Sequence, residues 1–144
     1  MAENIESKIR DYVDAFNKKD LDRALSFFAD DATWSAPEGT FKGKEEINKY
    51  MTWVLESLHD ETLSDDGIGI IVQGDKAVYQ HTLEGTIEGN KYKVPSICIY
   101  EFSGEKCKNH WSLLDRITIA KQTVTGPIAR KVVNTTVNRM EKGL

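Results

Sequence analysis

Two histidines and a thiol, His81, Cys98 and His110, fall on three successive stretches of alternating apolar character. A two-residue Gly89-Asn90 loop between the first two stretches pairs His81 with Cys98. A three-residue Ser103-Gly104-Glu105 loop between the next two pairs Cys98 with His110. Side chains alternate across a strand, so all three point to one face, in a row crossing strands about 4.8 Å apart. A one-residue slip in either loop would turn a whole strand over and break the row. The same pairing sets Tyr79 beside Tyr100, and Leu83, Ser96 and Ser112 in the next row.

Three chemistries suit such a row. Histidine titrates near neutrality and is the usual proton shuttle, and a flanked thiol can lose its proton and act as a nucleophile. Histidine and cysteine also bind zinc, but no spaced ligand motif accompanies them, so neither a metal nor another cofactor is expected. The remaining reading is structural. The three groups fill a partly polar interior, each bonded to a neighbour or to water, because an orphaned polar group costs about 1–3 kcal/mol. Around the row, Tyr12, Trp34, Trp53, Tyr79 and Tyr100 can build an apolar pocket with a few polar tips, the usual make-up of a small-molecule site. Core packing is the alternative for the same side chains. Trp111 and Leu113 have the opposite parity to His110 and belong on the outer face. Glu38, in a turn, could offer a carboxylate to the cavity but reads better as solvent-exposed, as does His59 after a helix.

The elements that must position these residues are legible from periodicity. Ile5, Ile9, Tyr12, Val13 and Phe16 recur at helical spacing, and Asp20 stands where the N-cap of a second, shorter helix should be. The stretch FFADDATWSAPEG runs from a helix end through a short strand at Ala32-Thr33-Trp34 into a turn at Pro37-Gly39. A third helix restarts near Lys44, with Glu45 and Glu46 favoured in its first turn by the helix dipole and Ile47, Tyr50, Met51, Val54 and Leu58 as its buried face. From Ile68 the pattern becomes strand-like, broken by short turn signals, and predicts strands over about 61–73, 76–88, 91–102 and 106–120 in an antiparallel meander. Pro127 can open a last amphipathic helix. Helices followed by a long antiparallel sheet define an α+β fold: a cone-shaped α+β barrel whose curved sheet wraps around the N-terminal helices, plus a C-terminal helix.

Totals narrow the function classes. With 144 residues, 40% hydrophobic and 29% charged, the chain has the make-up of one globular domain. A net charge of −4 argues against nucleic-acid binding. No apolar run approaches the roughly 20 residues of a bilayer span, so no membrane partner is expected. The opening MAENIESKIRDYV lacks the apolar core of a signal peptide, which gives a cytoplasmic reading, and Cys98 and Cys107 are then expected as reduced thiols.

The segments YVDAFNKKDLDRALSFFADDATWSAPEG, FKGKEEI and KYKVPSICIYEFSGEKCKNHWSLLD resemble the SnoaL-like proteins of the nuclear transport factor 2-like superfamily. That group includes polyketide cyclases, ketosteroid isomerases and limonene epoxide hydrolases. The resemblance implies the cone fold over residues 1–122, with 123–144 as a C-terminal helical extension. It also implies a homodimer, to which the apolar outer face of Trp111 would contribute. It matches Tyr12 to the isomerase's hydrogen-bond donor. The isomerase's aspartate base is replaced by Ala36, however, and its protonated acid by Cys98, a poor donor. The hydrolase's Asp–Arg–Asp set falls on His81, Tyr79 and Ser112. Neither mechanism transfers intact. Asp115 matches a position that is often structural, with an arginine as its expected partner.

The sequence thus predicts a cavity that takes a small, largely apolar metabolite. His81, His110 and Tyr12 are its catalytic candidates. Trp34, Trp53, Tyr79, Cys98, Tyr100 and Ser112 are its candidate ligand contacts. Any catalysis would be cofactor-free acid–base work; a carrier or interaction subunit of the same fold is the competing class.

Overall fold

The stripe Ile5, Ile9, Tyr12 and Phe16 forms the buried face of the first helix, α1 (Ala2–Asn17), as the helical period requires. Asp20 caps α2 (Leu21–Ser26) by accepting the Arg23 backbone N–H at 3.1 Å. Arg23 in turn pairs with Asp11 and Asp14, tying the short helix to α1. The chain is described by a computed structural model over residues 2–57 and 59–144, with side chains described for 4–56 and 60–144. Leu58 and the side chain of His59 lie outside the described residues.

β1 (Phe28–Ala36) and β2 (Gly39–Lys42) make a hairpin, longer than the short strand expected at Ala32–Trp34. α3 (Gly43–Ser57) follows and buries Ile47, Tyr50, Met51 and Val54. The meander consists of β3 (His59–Gln73), β4 (Lys76–Ile87), β5 (Asn90–Ser103) and β6 (Lys106–Leu114). All six strands form one curved, unclosed sheet in the order β2-β1-β6-β5-β4-β3. β1 joins it by running parallel to β6, which sets Trp34 opposite His110. In β5 the alternation is complete: Tyr92, Val94, Ser96, Cys98, Tyr100 and Phe102 are buried while the residues between them face out. The cone is therefore α+β as expected, with the helices filling its concave side.

The strand register differs from the expected one. The β4–β5 turn is Glu88-Gly89, flanked by paired Ile87 and Asn90, so Tyr79 rather than His81 lies opposite Cys98, and His81 lies opposite Ser96. The β5–β6 turn is a two-residue Gly104-Glu105 loop followed by an irregularity at Glu101/Phe102. Consequently Cys98 faces Ser112, and Tyr100 faces His110. Tyr79 lies diagonal to Tyr100, not beside it, and Leu83 faces Val94. Both offsets are by two residues, so no strand turned over. His81, Cys98 and His110 remain on one face but do not form a single row.

The strand expected to run to residue 120 stops at Leu114. Asp115 accepts the N–H groups of Ile117 at 2.9 Å and Thr118 at 3.1 Å, together with the Thr118 hydroxyl, and so starts an additional helix, α4 (Arg116–Thr123). These bonds hold its carboxyl below the usual carboxylate range. Among the described residues it has no arginine partner; the neighbouring Arg116 instead approaches Glu38. α5 (Pro127–Met140) begins with Pro127, as its sequence suggests, and packs on α4. Its residues do not line the main cavity, whose end is covered by α4 instead. No helix of the described residues is long and apolar enough to cross a membrane.

Removing the cap tests how far α4 depends on it. Asp115→Ala is expected to cost about 1 kcal/mol of stability in denaturant unfolding, the ordinary worth of an N-cap.

Candidate functional site

Alternation on β4, β5 and β6 sends His81, Ser96, Cys98, His110 and Ser112 into a cavity of about 270 Å³ between the sheet and α1, α3 and α4. Its volume lies just below the roughly 300–1,000 Å³ usual for small-molecule sites. Tyr12 from α1, Trp34 from β1 and Tyr50 and Trp53 from α3 contribute aromatic walls. Trp53 is 45% exposed and stacks on Tyr50, so it stands at the rim.

His110 sits in an aromatic sandwich. Its ring stacks on Trp34 at 4.5 Å and on Tyr100 at 4.6 Å, with Tyr12 edge-on at 6.1 Å. This arrangement follows from the register, since Trp34 and Tyr100 are its partners on the two flanking strands. Burial pushes its pKa down to about 3, so the ring is neutral at physiological pH. The Trp34 indole N–H donates to Ser112 Oγ at 2.8 Å, and Ser112 Oγ lies 3.3 Å from His110 Nε2 and 3.8 Å from Cys98 Sγ. With one lone pair occupied by the indole, the Ser112 hydroxyl links tryptophan, histidine and thiol. His110 Nδ1 is buried without a partner among the described residues.

His81 is held differently. Its Nδ1 lies 3.3 Å from the Tyr79 carbonyl oxygen, which can only accept, so the proton sits on Nδ1 and Nε2 keeps its lone pair. The Tyr79 ring stacks on it at 4.5 Å. Burial lowers the pKa of His81 to about 4. Cys98 is also buried, and its thiol is pushed up to about 11, so the thiolate nucleophile considered from sequence is not populated near neutrality. Cys98 and Cys107 are both free thiols.

Two expected ligand contacts are absent from the cavity wall. Tyr100 is fully buried in the core behind His110, and Tyr79 turns into a groove beside Arg10 and Asp65, leaving its ring as a support for His81. Tyr12, Trp34, Trp53, Cys98, Ser112, His81 and His110 do line it. Among the described residues no cluster of three or more histidine, cysteine, aspartate or glutamate side chains is arranged to hold a metal.

Sequence reasoning missed the acidic end of the cavity. Glu38 is an exposed residue, as expected, but its side chain, 25% exposed, folds over the cavity: it accepts the Tyr50 hydroxyl at 2.7 Å and lies 3.9 Å from Arg116. Glu61 was not singled out at all, yet it is 5% exposed and lines the cavity beside Tyr92. Burial pushes its pKa up to about 8, against the opposing charge of Lys19. The signal was weak because HDETLSDD reads as a solvated acidic stretch.

A sequence profile of the SnoaL-like domain matches residues 9–110. No curated protein matches the chain in sequence. Among solved structures, the chain is similar to a nuclear transport factor 2-like protein of unknown function from Burkholderia pseudomallei, at 20% identity and a TM-score of 0.77 over 87% of this chain and 100% of that one. A candidate polyketide cyclase from a Silicibacter species gives 19% identity and a TM-score of 0.77 over 85% and 97%. A protein of ketosteroid isomerase-like fold from Catenulispora acidiphila, solved with trimethylamine, gives 17% and 0.74 over 81% and 91%. Identities this low establish shared architecture alone.

The buried histidines make stability depend on pH with a definite sign. Their folded pKa values lie below the unfolded value of 6.5, so the unfolded chain binds more protons as pH falls. Stability is complete above pH 6.5 and is lost on acidification, on the order of 3 kcal/mol per histidine by pH 4. Glu61 acts oppositely, losing stability as pH rises from about 4.5 to about 8. Denaturant melts at pH 7, 5 and 4 are expected to fall steeply for the wild type and less steeply for His81→Gln and His110→Gln.

Proposed function

The chain belongs to the SnoaL-like domain family, and from that premise we propose that its cavity binds a small, largely apolar, ring-containing metabolite and performs cofactor-free acid–base chemistry on it. The observation that carries this reading is the tautomer of His81. With Nδ1–H committed to the Tyr79 carbonyl, Nε2 is a fixed lone pair on a residue lining a mostly apolar cavity. The ring is uncharged at neutral pH and can take a proton from a bound ligand without first losing one. Tyr12 complements it. Burial keeps its phenol protonated far above neutrality, so it remains a donor to oxygen on which charge develops. His110 is better suited to hold Ser112 and Trp34 than to exchange protons, because its Nε2 is engaged and its rings are sandwiched.

A carrier without catalysis is the second reading. It is favoured by Ala36 at the position of the isomerase's base and by the low basicity that burial imposes on both histidines. Deuterium exchange separates the two. Wild-type protein is expected to accelerate exchange of the α-protons of a two-ring ketone such as 2-tetralone, and His81→Gln to slow it by about 10²–10⁴-fold, the usual worth of a positioned base. Exchange undiminished in the variant would reject the assignment. Binding of the ketone with no exchange in the wild type would favour the carrier.

The convex face supports a homodimer. Ile71, Ile97, Trp111 and Leu113 are exposed there, with Ile99 and Trp111 on paired strand positions and Ile97 beside Leu113. Apolar side chains gathered on one sheet face are the usual mark of an interaction surface. A cytoplasmic location accords with the free thiols. Sedimentation of Trp111→Lys/Leu113→Glu is expected to show a monomer where the parent chain is a dimer, with the fold retained by circular dichroism.

A further inference from the structure

We propose that Glu61 and Tyr92, set side by side across Gly85, form the station that holds a carbonyl or hydroxyl oxygen of an uncharged ligand. The proposal rests on the reading of the cavity as a ligand site and names the class of compound it takes.

Three adjacent strands build the station. In β3 the register shifts between His59 and Thr62, so Asp60 and Glu61 both stand opposite the single residue Gly85 of β4. Such a bulge re-aims a side chain, and Asp60 adopts φ 59° to make it, a conformation that aspartate tolerates. Glu61 is thereby turned inward with Leu63. On the other side Gly85 pairs with Tyr92 of β5. A Cβ on Gly85 would lie 2.5 Å from the Tyr92 hydroxyl oxygen and 2.7 Å from its Cζ. The tyrosine ring therefore lies across β4, over a position only glycine can occupy, and carries its hydroxyl toward Glu61, with which it interacts.

Both groups are more than nine-tenths buried and line the cavity, yet Glu61 Oε2 and the Tyr92 hydroxyl have no hydrogen-bond partner of ordinary geometry among the described residues. Native interiors seldom leave two adjacent polar groups unmatched. Beyond their interaction with each other, the described residues supply nothing to match them, so a further complement is expected from what enters the cavity. The groups facing Glu61 decide its charge. Lys19 comes from the α1–α2 turn, but its ammonium is bound by the Glu61 backbone carbonyl rather than by the carboxyl. Glu38 from the β1–β2 turn opposes ionisation, and Tyr92, Tyr12, Tyr50 and Cys98 are the remaining titratable neighbours. Desolvation outweighs Lys19, so near neutrality the carboxyl is chiefly the undissociated acid. With one hydroxyl engaged between them, the pair then offers an O–H donor and acceptor lone pairs with no net charge. That set suits a ketone, enol or phenol oxygen.

Calorimetric titration with 2-acetylnaphthalene, a ketone without titratable groups, against 2-ethylnaphthalene tests the assignment. At pH 6 the ketone is expected to bind roughly three- to tenfold more tightly, the worth of one hydrogen bond. That preference should fade as pH rises past about 8, where Glu61 ionises. Glu61→Leu and Tyr92→Phe should each reduce the preference. Glu61→Gln, which keeps a donor and cannot ionise, should retain it and remove its pH dependence; this near-isosteric variant and Tyr92→Phe keep the test decisive if the leucine variant misfolds. Equal affinity for both probes in the wild type, or a preference indifferent to Glu61 and Tyr92, overturns the oxygen station while leaving the cavity a binding site. Binding of neither probe overturns the cavity reading beneath it. Tighter binding of 2-naphthylmethylammonium than of the ketone also overturns the station, in favour of a carboxylate–cation site.

Discussion

Desolvation inside the cone governs the ionisable side chains buried against the cavity, His81, His110, Cys98 and Glu61. It lowers the two histidines to about 4 and 3 and raises the Cys98 thiol to about 11 and the Glu61 carboxyl to about 8. Acids and bases move in opposite directions for one reason: each is driven to its uncharged form when water is removed. The interior therefore holds several polar side chains and little charge. Ion pairs such as Arg23 with Asp11 and Asp14 belong to the exposed surface.

An uncharged interior must still satisfy its hydrogen bonds, and the sheet register decides which ones it can. Trp34, Ser112, His110 and Cys98 meet because β1 runs parallel to β6 and because β5 and β6 pair Cys98 with Ser112. A hydroxyl at Ser112 can accept from the indole and still donate its one proton to a neighbour while accepting from the other. The aromatic stack of Trp34, His110 and Tyr100 fills the space around that network, so the inner end of the cavity is closely packed, with His110 Nδ1 and the Tyr100 hydroxyl left without partners among the described residues. Toward β3, Glu61 Oε2 and the Tyr92 hydroxyl are likewise buried without a partner of ordinary geometry.

Much of this was legible before any coordinates. Helical periodicity located α1, α3 and α5, and strand alternation brought His81, Cys98, His110 and Ser112 to the concave face. Their shared face survived two misjudged turns because each error was an even number of residues. β3 shows where such reasoning fails. From the Gly74-Asp75 turn, Ile70 and Val72 align with the inward Tyr79 and Ala77, which extrapolates to an outward Glu61. Between Ser64 and Gly69 the register slips by an odd number, and inward parity passes to Leu63 and Glu61. Gly67 and Gly69 mark the slip, since isolated glycines in a strand often signal a bulge. Its direction and length depend on tertiary packing. α4 was hidden for a similar reason: Asp115 and Thr118 form a cap signature, but the apolar residues after them continue the alternation of β6.

Access to the cavity follows from what closes each side. The sheet wall is continuous and hydrogen-bonded, and the inner end is filled with aromatic rings. α4 is joined directly to β6 through its Asp115 cap, so its start cannot move without disturbing the strand that carries Ser112. The remaining side lies between α3 and α4, where half-exposed Trp53 stands near Tyr50 and the link across the gap is Glu38 with Arg116 at 3.9 Å. A long, solvent-exposed ion pair contributes only about 0–1 kcal/mol. On the proposed reading, a ligand entering on that side would meet the aromatic rim first and the polar oxygens of Glu61 and Tyr92 only once its rings had left water. The order matters, because a hydrogen bond to a neutral acid gains strength as competing water is removed.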